Sequence, residues 1–140
     1  MEIRTTINLK GVNNLLKRVS VKAADEKRAL KIAAVGHVRE IKTRTAKGVG
    51  VNNAFKRYSS DYAEFRRDRG HKETVNLFLT GRMLGNLGLV DLDSNKAIIG
   101  FSSASERKKA EANQKTRPFM GITSDEQELI VKRFKKALFK

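Results

Sequence analysis

The chain has 140 residues, of which 39% are hydrophobic and 32% charged, and its 30 Lys and Arg against 15 Asp and Glu give a formal net charge of +15. A chain of this length can bury its own core, so we expect a single domain over residues 1–140. The absence of cysteine excludes disulfide scaffolds, thiolate zinc sites and cysteine nucleophiles. No apolar run approaches the roughly 20 residues of a bilayer-crossing helix, and the first residues lack the apolar stretch of a signal peptide. We therefore expect a soluble, intracellular or intraparticle protein without membrane contact.

The first ten residues have the period-two pattern of a half-buried strand. The alternating positions are Ile3, Thr5, Ile7 and Leu9. We expect residues 1–10 to form an extended arm or an edge strand. The sequence then predicts one or two helical turns over 12–20.

Residues 21–47 predict a long helix, because they lack proline and are rich in Ala, Lys, Glu and Arg. At about 100° per residue, one face of this helix is apolar. It holds Leu30, Ala34, His37, Val38 and Ile41. A second face is basic and holds Arg28, Lys31, Arg39 and Lys42. This basic face is either a solvated helix face or a ridge directed at DNA or at an acidic partner in a ring.

Glycines at 48 and 50 predict the end of the long helix, and the loop after it lacks the spacing of a phosphate-binding loop. Four aromatic residues follow at helical spacing, which favours packing over base stacking: Phe55, Tyr58, Tyr62 and Phe65. Ser59 or Ser60 is a suitable cap for a short helix that runs to Arg69. Two further basic residues of this stretch, Arg66 and Arg67, join the basic face of the long helix as candidates for a surface that faces DNA or an acidic partner.

The next segment alternates Val75, Leu77 and Leu79 with other residues, which predicts a strand or an extended stretch. Thr80 could then cap a short helix that carries Met83, Leu84 and Leu87. Residues 87–103 predict a hairpin with an Asp-Ser-Asn turn. A short charged helix over 104–115 and an extended stretch around Pro118 complete this region.

The last segment predicts an amphipathic helix with a capping box, in which Thr123 or Ser124 is the cap and Glu126 or Gln127 its partner. Acidic residues occupy the first turns and basic residues the later ones, as the helix dipole favours. Its apolar stripe holds Ile130, Phe134 and Leu138. The predicted fold is therefore α+β: a small, mainly antiparallel sheet, a long helix in the N-terminal half, shorter helices and a C-terminal amphipathic helix.

Catalytic groups are sparse, since His37 and His71 are the only histidines. His37 lies at the edge of an apolar stripe, where we expect a packed side chain. Asp68, His71 and Glu73 could form a metal or acid–base cluster, although dense loop charges produce such groupings routinely. The pair Asp91 and Asp93 fits turn chemistry better than acid–base work. No set of nucleophile, base and orienting group is present, so we expect no enzymatic activity, no cofactor and no metal.

The net charge of +15 favours an anionic partner. The charge alone is compatible with three kinds of partner: nucleic acid, an acidic protein surface and an anionic membrane. The sequence has no Trp and no Cys-His finger, and no aromatic-basic repeat of the kind found in RNA-binding sheets. Contact with DNA at some stage of function is therefore expected from charge, without a base-reading element.

Five segments of the chain, in this order, resemble those of the phage virion morphogenesis family, the tail completion proteins of contractile-tailed phages, including Mu-like ones. They are RTAKGVGVNNAFKRYSSDYA, NLFLTGRMLGNL, AIIGFSS, KKAEANQ and RPFMGIT, from Arg44 to Thr123. The family often has a His-Gln pair and a longer glycine-bearing loop before its RPF segment. Here Asn113 and Gln114 occupy that place, with two residues before Arg117.

The resemblance implies a structural virion protein of the phage head–tail junction, made in the host cytoplasm and found in the virion. It implies a homo-oligomeric ring, with a hexamer and a dodecamer both open. The ring would lie between neighbouring neck, portal-side and tail-tube or terminator proteins, in contact with packaged double-stranded DNA. It also implies packing or subunit contacts at the positions that match its motifs. These are Phe55, Tyr58, Tyr62, Leu79, Gly81, Met83, Gly100, Phe101, Gln114, Arg117, Pro118, Phe119 and Gly121.

Two other functions remain open at this point. A small nucleic-acid-binding protein without sequence preference would bind duplex DNA with a steep salt dependence. A nuclease or toxin would use the loop around His71 and would require that residue for activity.

Overall fold

The computed structural model describes residues 3–8, 22–72, 74–77 and 81–139. Its elements are β1 (Thr5–Asn8), α1 (Ala23–Ala46), α2 (Ser60–Asp68), α3 (Arg82–Asn86), β2 (Leu87–Leu92), β3 (Lys96–Phe101), α4 (Ala104–Thr116) and α5 (Ser124–Leu138). The α+β class, the long helix of the N-terminal half and the C-terminal helix are confirmed. The helical turns predicted over 12–20 lie outside the described residues.

The three described strands form an antiparallel sheet in the order β1-β3-β2. Ile99 of the central strand lies opposite Thr5 on one side and Leu89 on the other. The alternation predicted for the first residues is confirmed in β1, where Thr5 and Ile7 are buried while Thr6 and Asn8 are exposed. β1 is thus an edge strand that pairs within its own chain.

Helix α1 covers the sheet and packs along α5. The predicted apolar stripe is confirmed, because its five members are all buried: Leu30, Ala34, His37, Val38 and Ile41. The two helices are antiparallel. Arg28 near the start of α1 bonds to Ala137 near the end of α5, whereas Arg44 in the last turn of α1 reaches Glu126 in the first turn of α5.

The predicted cap of the C-terminal helix is confirmed. Thr123 Oγ1 accepts a hydrogen bond from the Glu126 amide (3.2 Å), and Glu126 Oε1 accepts one from the Thr123 amide (3.1 Å). These two bonds satisfy amides that the helix itself leaves without partners. Ile130 and Phe134 of the stripe are buried and Leu138 is half-buried.

The predicted hairpin is also confirmed, with its turn set by Asp93. The Asp93 carboxylate accepts hydrogen bonds from the amides of Asn95 (2.8 Å) and Lys96 (2.7 Å). These bonds lower the pKa of Asp93 below its ordinary value. Asp93 therefore stabilises the turn, as expected. Asp91 is exposed on β2, where the pairing register with β3 shifts between Leu89 and Asp91.

Of the strand or extended stretch predicted around Val75, the described residues 74–77 form no strand. Val75 is buried, but Leu77 has a left-handed backbone (φ 55°) that ends the alternation. Instead of joining a sheet, the Leu77 amide donates to the Tyr58 hydroxyl (3.1 Å). The short helix α3 starts after Gly81, and Leu87 begins β2 rather than extending that helix. Thr80 and Leu79 lie outside the described residues.

Candidate docking surface

The basic face predicted on α1 is present at the surface. Arg28, Lys31 and Arg39 are exposed, and Lys42 is half-buried. Arg28 also donates a hydrogen bond to the Ala137 carbonyl (3.2 Å), which anchors one end of this face on α5. The face therefore offers cations beside the seam between the two helices.

Two apolar residues that the sequence analysis missed lie on or beside this basic face. Ile32 is 46% exposed and Val35 is 37% exposed. The helical wheel carries the information needed to find them, since at about 100° per residue Val35 falls between Lys31 and Arg39, and Ile32 falls about 20° beyond Arg39. The basic face is thus a mixed surface, with an apolar centre and a cationic rim.

Arg133 of α5 lies across α1 at Gly36. A Cβ atom on residue 36 would lie 2.9 Å from Arg133 Cδ, so only glycine leaves room for this side chain in its present position. The guanidinium continues past Gly36 and its Nη2 donates to the Glu40 carboxylate. Gly36 therefore lets Arg133 bridge the two helices.

Arg133 separates two adjacent hollows, which together we call the α1–α5 groove. The larger, of about 360 Å³, is lined by Lys31, Ile32, Val35, Gly36, Arg39 and Arg133. The smaller, of about 200 Å³, is lined by Arg28, Ile32, Arg133, Lys136 and Ala137. None of these described lining residues is acidic, so the groove presents apolar floors within a positive field.

The candidate Arg66 does not belong to any exposed basic surface, and that assignment is corrected. Its side chain is 1% exposed, and its Nη2 donates to the Lys72 carbonyl (3.3 Å) and to Asn76 Oδ1 (3.0 Å). The guanidinium also lies 5.0 Å from the centre of the Tyr58 ring. Arg66 thus fixes the loop after α2, whereas Arg67 is exposed.

The short helix predicted from Ser59 or Ser60 to Arg69 is confirmed as α2, but it contains only two of the four aromatic residues. Ser59 is its cap, as expected, and accepts a bond from the Tyr62 amide (3.3 Å). Phe55 and Tyr58 precede α2, so helical spacing does not explain their positions. Phe55 instead packs against the core from the loop.

The 117–123 segment is held by side chains from several parts of the chain. Arg117 donates to the carbonyls of Lys56 (2.7 Å) and Arg57 (2.9 Å), and its guanidinium lies 4.7 Å from the centre of the Tyr58 ring. Pro118 contributes its carbonyl oxygen, which accepts from the Val51 amide (2.9 Å). These bonds join the segment to the loop after α1.

Gln114 fixes the same segment from α4. Its Oε1 accepts hydrogen bonds from the amides of Phe119 (3.1 Å) and Met120 (3.0 Å), and its Nε2 donates to the Met120 carbonyl (3.2 Å). Phe119 is fully buried and packs edge-on against Phe101, with ring centres 6.4 Å apart. One amide side chain thus satisfies three backbone groups in a turn without regular structure.

His37 and Arg44 bind the segment from α1. The Gly121 carbonyl accepts from Arg44 Nη2 (3.1 Å) and from His37 Nε2 (3.0 Å), so the neutral His37 ring carries its proton on Nε2. Burial lowers the pKa of His37 below its ordinary value, against the attraction of Glu126. His37 is therefore a packed side chain, as expected.

Glu126 completes this cluster. Burial alone would raise the pKa of Glu126, but hydrogen bonds from Arg44 and the Thr123 amide outweigh it and leave that pKa below its ordinary value. Arg44 Nη1 also donates to the Phe119 carbonyl (2.5 Å). The cluster is a structural joint between α1, α5 and the 117–123 segment.

The remaining positions that match the segments of the resemblance include two buried side chains and three glycines. Met83 and Phe101 are buried, and Gly81 and Gly121 have positive φ angles of 80° and 143°. Gly100 is buried in the central strand.

A cavity of about 520 Å³ lies beside Tyr58. It is also lined by Ser59, Tyr62, Leu77, Gly81, Met83, Lys109, Asn113 and Arg117.

In the part of the chain that the structure describes, no group of three or more His, Asp or Glu side chains is placed to hold a metal ion. Of the loop cluster considered above, Asp68 is exposed and His71 half-buried, and Glu73 lies outside the described residues. Within the described ranges, no helix combines the length and the apolar character that a membrane crossing requires.

Comparison of the chain with protein-family models, with curated proteins and with solved structures found no match.

Proposed function

We propose that this protein is a structural component of the phage head–tail junction, a subunit of a tail completion or neck ring that helps join DNA-filled heads to tails. In this role it is found in the virion and, during assembly, in the host cytoplasm. The observation that carries the proposal is that each of the five segments resembling the phage family contacts at least one other, so that all five are linked in one structural unit. They are spread over residues 44–123 of the sequence.

The contacts between these segments are specific. Arg117 of the last segment bonds to the Lys56 and Arg57 carbonyls of the first, and Gln114 of the fourth bonds to Phe119 of the last. Phe101 of the third packs on Phe119. The second is linked by Leu77, whose amide bonds to Tyr58, and by Met83, whose sulfur accepts from Asn113 Nδ2 at 3.7 Å. Segments that recur together in a family are expected to be coupled in this way, which supports the resemblance.

A closed ring requires two different patches on each subunit. Strand β2 is an edge of the sheet with Val90 exposed, and the α1–α5 groove is a second surface on other elements. Exposed sheet edges are common sites of chain-to-chain pairing. These two surfaces support assembly into a ring with neighbouring neck, portal-side or tail proteins.

The test is deletion of the gene in an inducible prophage, followed by negative-stain electron microscopy of the lysate. The expected result is separate DNA-filled heads and free tails, with tailed particles restored when the wild-type protein is supplied in trans. Tailed particles in normal numbers without the gene would refute the joining function.

Binding of nucleic acid without sequence preference is a second candidate function, favoured by the charge and by one exposed pair at the end of α2. The Arg69 guanidinium lies 3.6 Å from the centre of the Phe65 ring, and Phe65 stacks on Tyr62 with ring centres 5.8 Å apart. Fluorescence anisotropy with labelled duplex and single-stranded DNA at several salt concentrations tests it. If the protein binds DNA at micromolar concentration with a steep salt dependence, and deletion of its gene leaves normal virions, nucleic-acid binding replaces head–tail joining as the proposed function.

A further inference from the structure

We propose that the α1–α5 groove binds an acidic, amphipathic segment of a neighbouring virion protein. The inference rests on the proposed function for the class of partner. The chemistry of the bound segment follows from the groove itself.

The apolar floor is the first argument. Ile32 and Val35 of α1 are exposed, at 46% and 37%, and both line the groove. Apolar surface gains about 25 cal/mol for each Å² removed from water. A partner that places apolar side chains in the two hollows would obtain this gain, whereas a purely ionic partner would not.

The rim is the second argument, since it fixes the charge of the partner. Five cations line the groove: Arg28, Lys31, Arg39, Arg133 and Lys136. Arg133 is paired with Glu40, which leaves the other four to face an incoming segment. Carboxylates on the partner would lie against this rim and be drawn to it over several ångströms.

The combination of floor and rim distinguishes the possible partners. A DNA backbone would satisfy the cations but would place phosphates and solvent against Ile32 and Val35, with no gain from the floor. A second copy that presents the same groove would bring like charges together, in a chain whose net charge is already +15. An acidic segment with apolar residues satisfies both parts of the surface.

The shape of the groove sets the spacing of those apolar residues. The two hollows lie side by side along α1 and share Ile32 and Arg133 as a wall. Neighbouring positions on one face of a helix are three or four residues apart. A helical segment with apolar residues at that spacing, and Asp or Glu on both sides of them, would occupy both hollows at once.

The experiment measures binding of designed probes to the purified full-length protein by fluorescence anisotropy. The first probe is a labelled Glu- and Ala-rich peptide of about 16 residues, four helical turns, with leucines three and four apart on one face. The second has the same charge but serine in place of each leucine. The third is a duplex DNA of similar length.

Two variants test the groove, and one controls for charge. Ile32→Ser with Val35→Ser removes the floor, and Lys31→Glu with Arg39→Glu reverses part of the rim. The control, Lys108→Glu with Lys115→Glu, makes the same charge change at exposed positions of α4. Circular dichroism and sedimentation velocity of each variant verify its fold and its state of association.

The leucine peptide should bind the wild-type protein about tenfold or more tightly than the serine peptide, a difference of about 1.4 kcal/mol. The floor variant should lose most of that difference while keeping its affinity for DNA. The rim variant should weaken both peptides more than the α4 control does.

Three results would overturn the inference. Equal binding of the two peptides would show that the floor contributes nothing. An equal loss of DNA and peptide binding in the floor variant would assign the groove to nucleic acid. A wild-type dimer that the floor variant dissociates would assign it to a second copy. The binding assay contains no phage, so a negative result refutes the groove proposal without refuting the joining function. A negative deletion experiment refutes the joining function without refuting binding of an acidic segment in the groove.

Discussion

Arg44 and Glu126 form an ion pair (2.9 Å) that joins the last turn of α1 to the first turn of α5. Their side chains are only 11% and 9% exposed. Arg44 also donates to the carbonyls of Phe119 and Gly121, and Glu126 also caps its own helix through Thr123. This one ion pair therefore connects two helices and the 117–123 segment.

Removal of the guanidinium should destabilise the fold strongly. Arg44→Met would leave the Glu126 carboxylate buried without its ion-pair partner and the Phe119 carbonyl without a donor, a change that typically costs about 3–5 kcal/mol. The free energy of unfolding in urea measures it. The matched control is Arg39→Met on the same helix, an exposed position where we expect a change within about 0.5 kcal/mol. Equal losses in the two variants would contradict this account of Arg44.

Stability should fall as the solution becomes mildly acidic. Burial holds the pKa of His37 below its ordinary value of about 6.5, so between the two values the unfolded chain binds more protons than the folded one. The free energy of unfolding therefore decreases as the pH falls below about 6.5. Glu126, whose pKa is also lowered, adds its own loss only below about pH 4.3.

The histidine contribution can be separated by substitution. His37→Gln keeps an N–H for the Gly121 carbonyl and removes the titrating group, so urea titrations between about pH 7 and pH 5 should show a flatter profile. If His37→Gln keeps the wild-type slope, the pH dependence arises from another group.

Gln114 should contribute to stability through its acceptor rather than through its size. In Gln114→Ala the amides of Phe119 and Met120 lose their partner, and each buried donor left unsatisfied costs about 1–3 kcal/mol. The expected result is a loss of at least about 2 kcal/mol in the free energy of unfolding. Lys115→Ala, the exposed neighbour on α4, should change little. If the two variants have the same stability, the hydrogen bonds of Gln114 are not what fixes the segment.

The parts of this fold that the sequence predicts well are those set by neighbouring residues. The Thr123–Glu126 capping box and the Asp93 turn depend on groups two or three residues apart, and the apolar stripe of α1 depends on helical period alone. Such local patterns leave few alternatives. Both ends of α1 and the start of α5 were accordingly predicted within a few residues.

What the sequence did not predict depends on partners far along the chain. The strand expected at Val75 is replaced by a turn at Leu77, whose amide is satisfied by Tyr58 from 19 residues away. The groove forms only because Arg133 crosses α1 at Gly36, a contact between residues nearly 100 positions apart. A helical wheel shows that Ile32 is exposed, but it cannot show which helix lies beside it.

The neighbours Arg66 and Arg67 should respond in opposite ways to the same substitution. Arg66→Ala would remove a buried guanidinium and leave the Asn76 carboxamide and the Lys72 carbonyl without this donor, so we expect a loss of about 2–4 kcal/mol in the free energy of unfolding. Arg67→Ala, at an exposed position, should cost less than about 1 kcal/mol. A larger loss of stability in Arg67→Ala than in Arg66→Ala would contradict the buried position of Arg66.

The basic face of α1 should be needed for joining heads to tails but not for folding. Glutamate in place of Arg28, Arg39 and Lys42 reverses three charges beside the groove, which would repel an acidic partner or DNA while leaving the buried stripe of α1 intact. Supplied to the deletion phage, this variant should leave heads and tails separate, although its circular dichroism and melting remain close to those of the wild type. A control with glutamate at Lys72, Lys108 and Lys115 makes the same change in net charge at exposed positions elsewhere and should restore tailed particles. If both variants restore them equally, the face of α1 has no special part in joining, and the charge of +15 acts only as a general property of the surface.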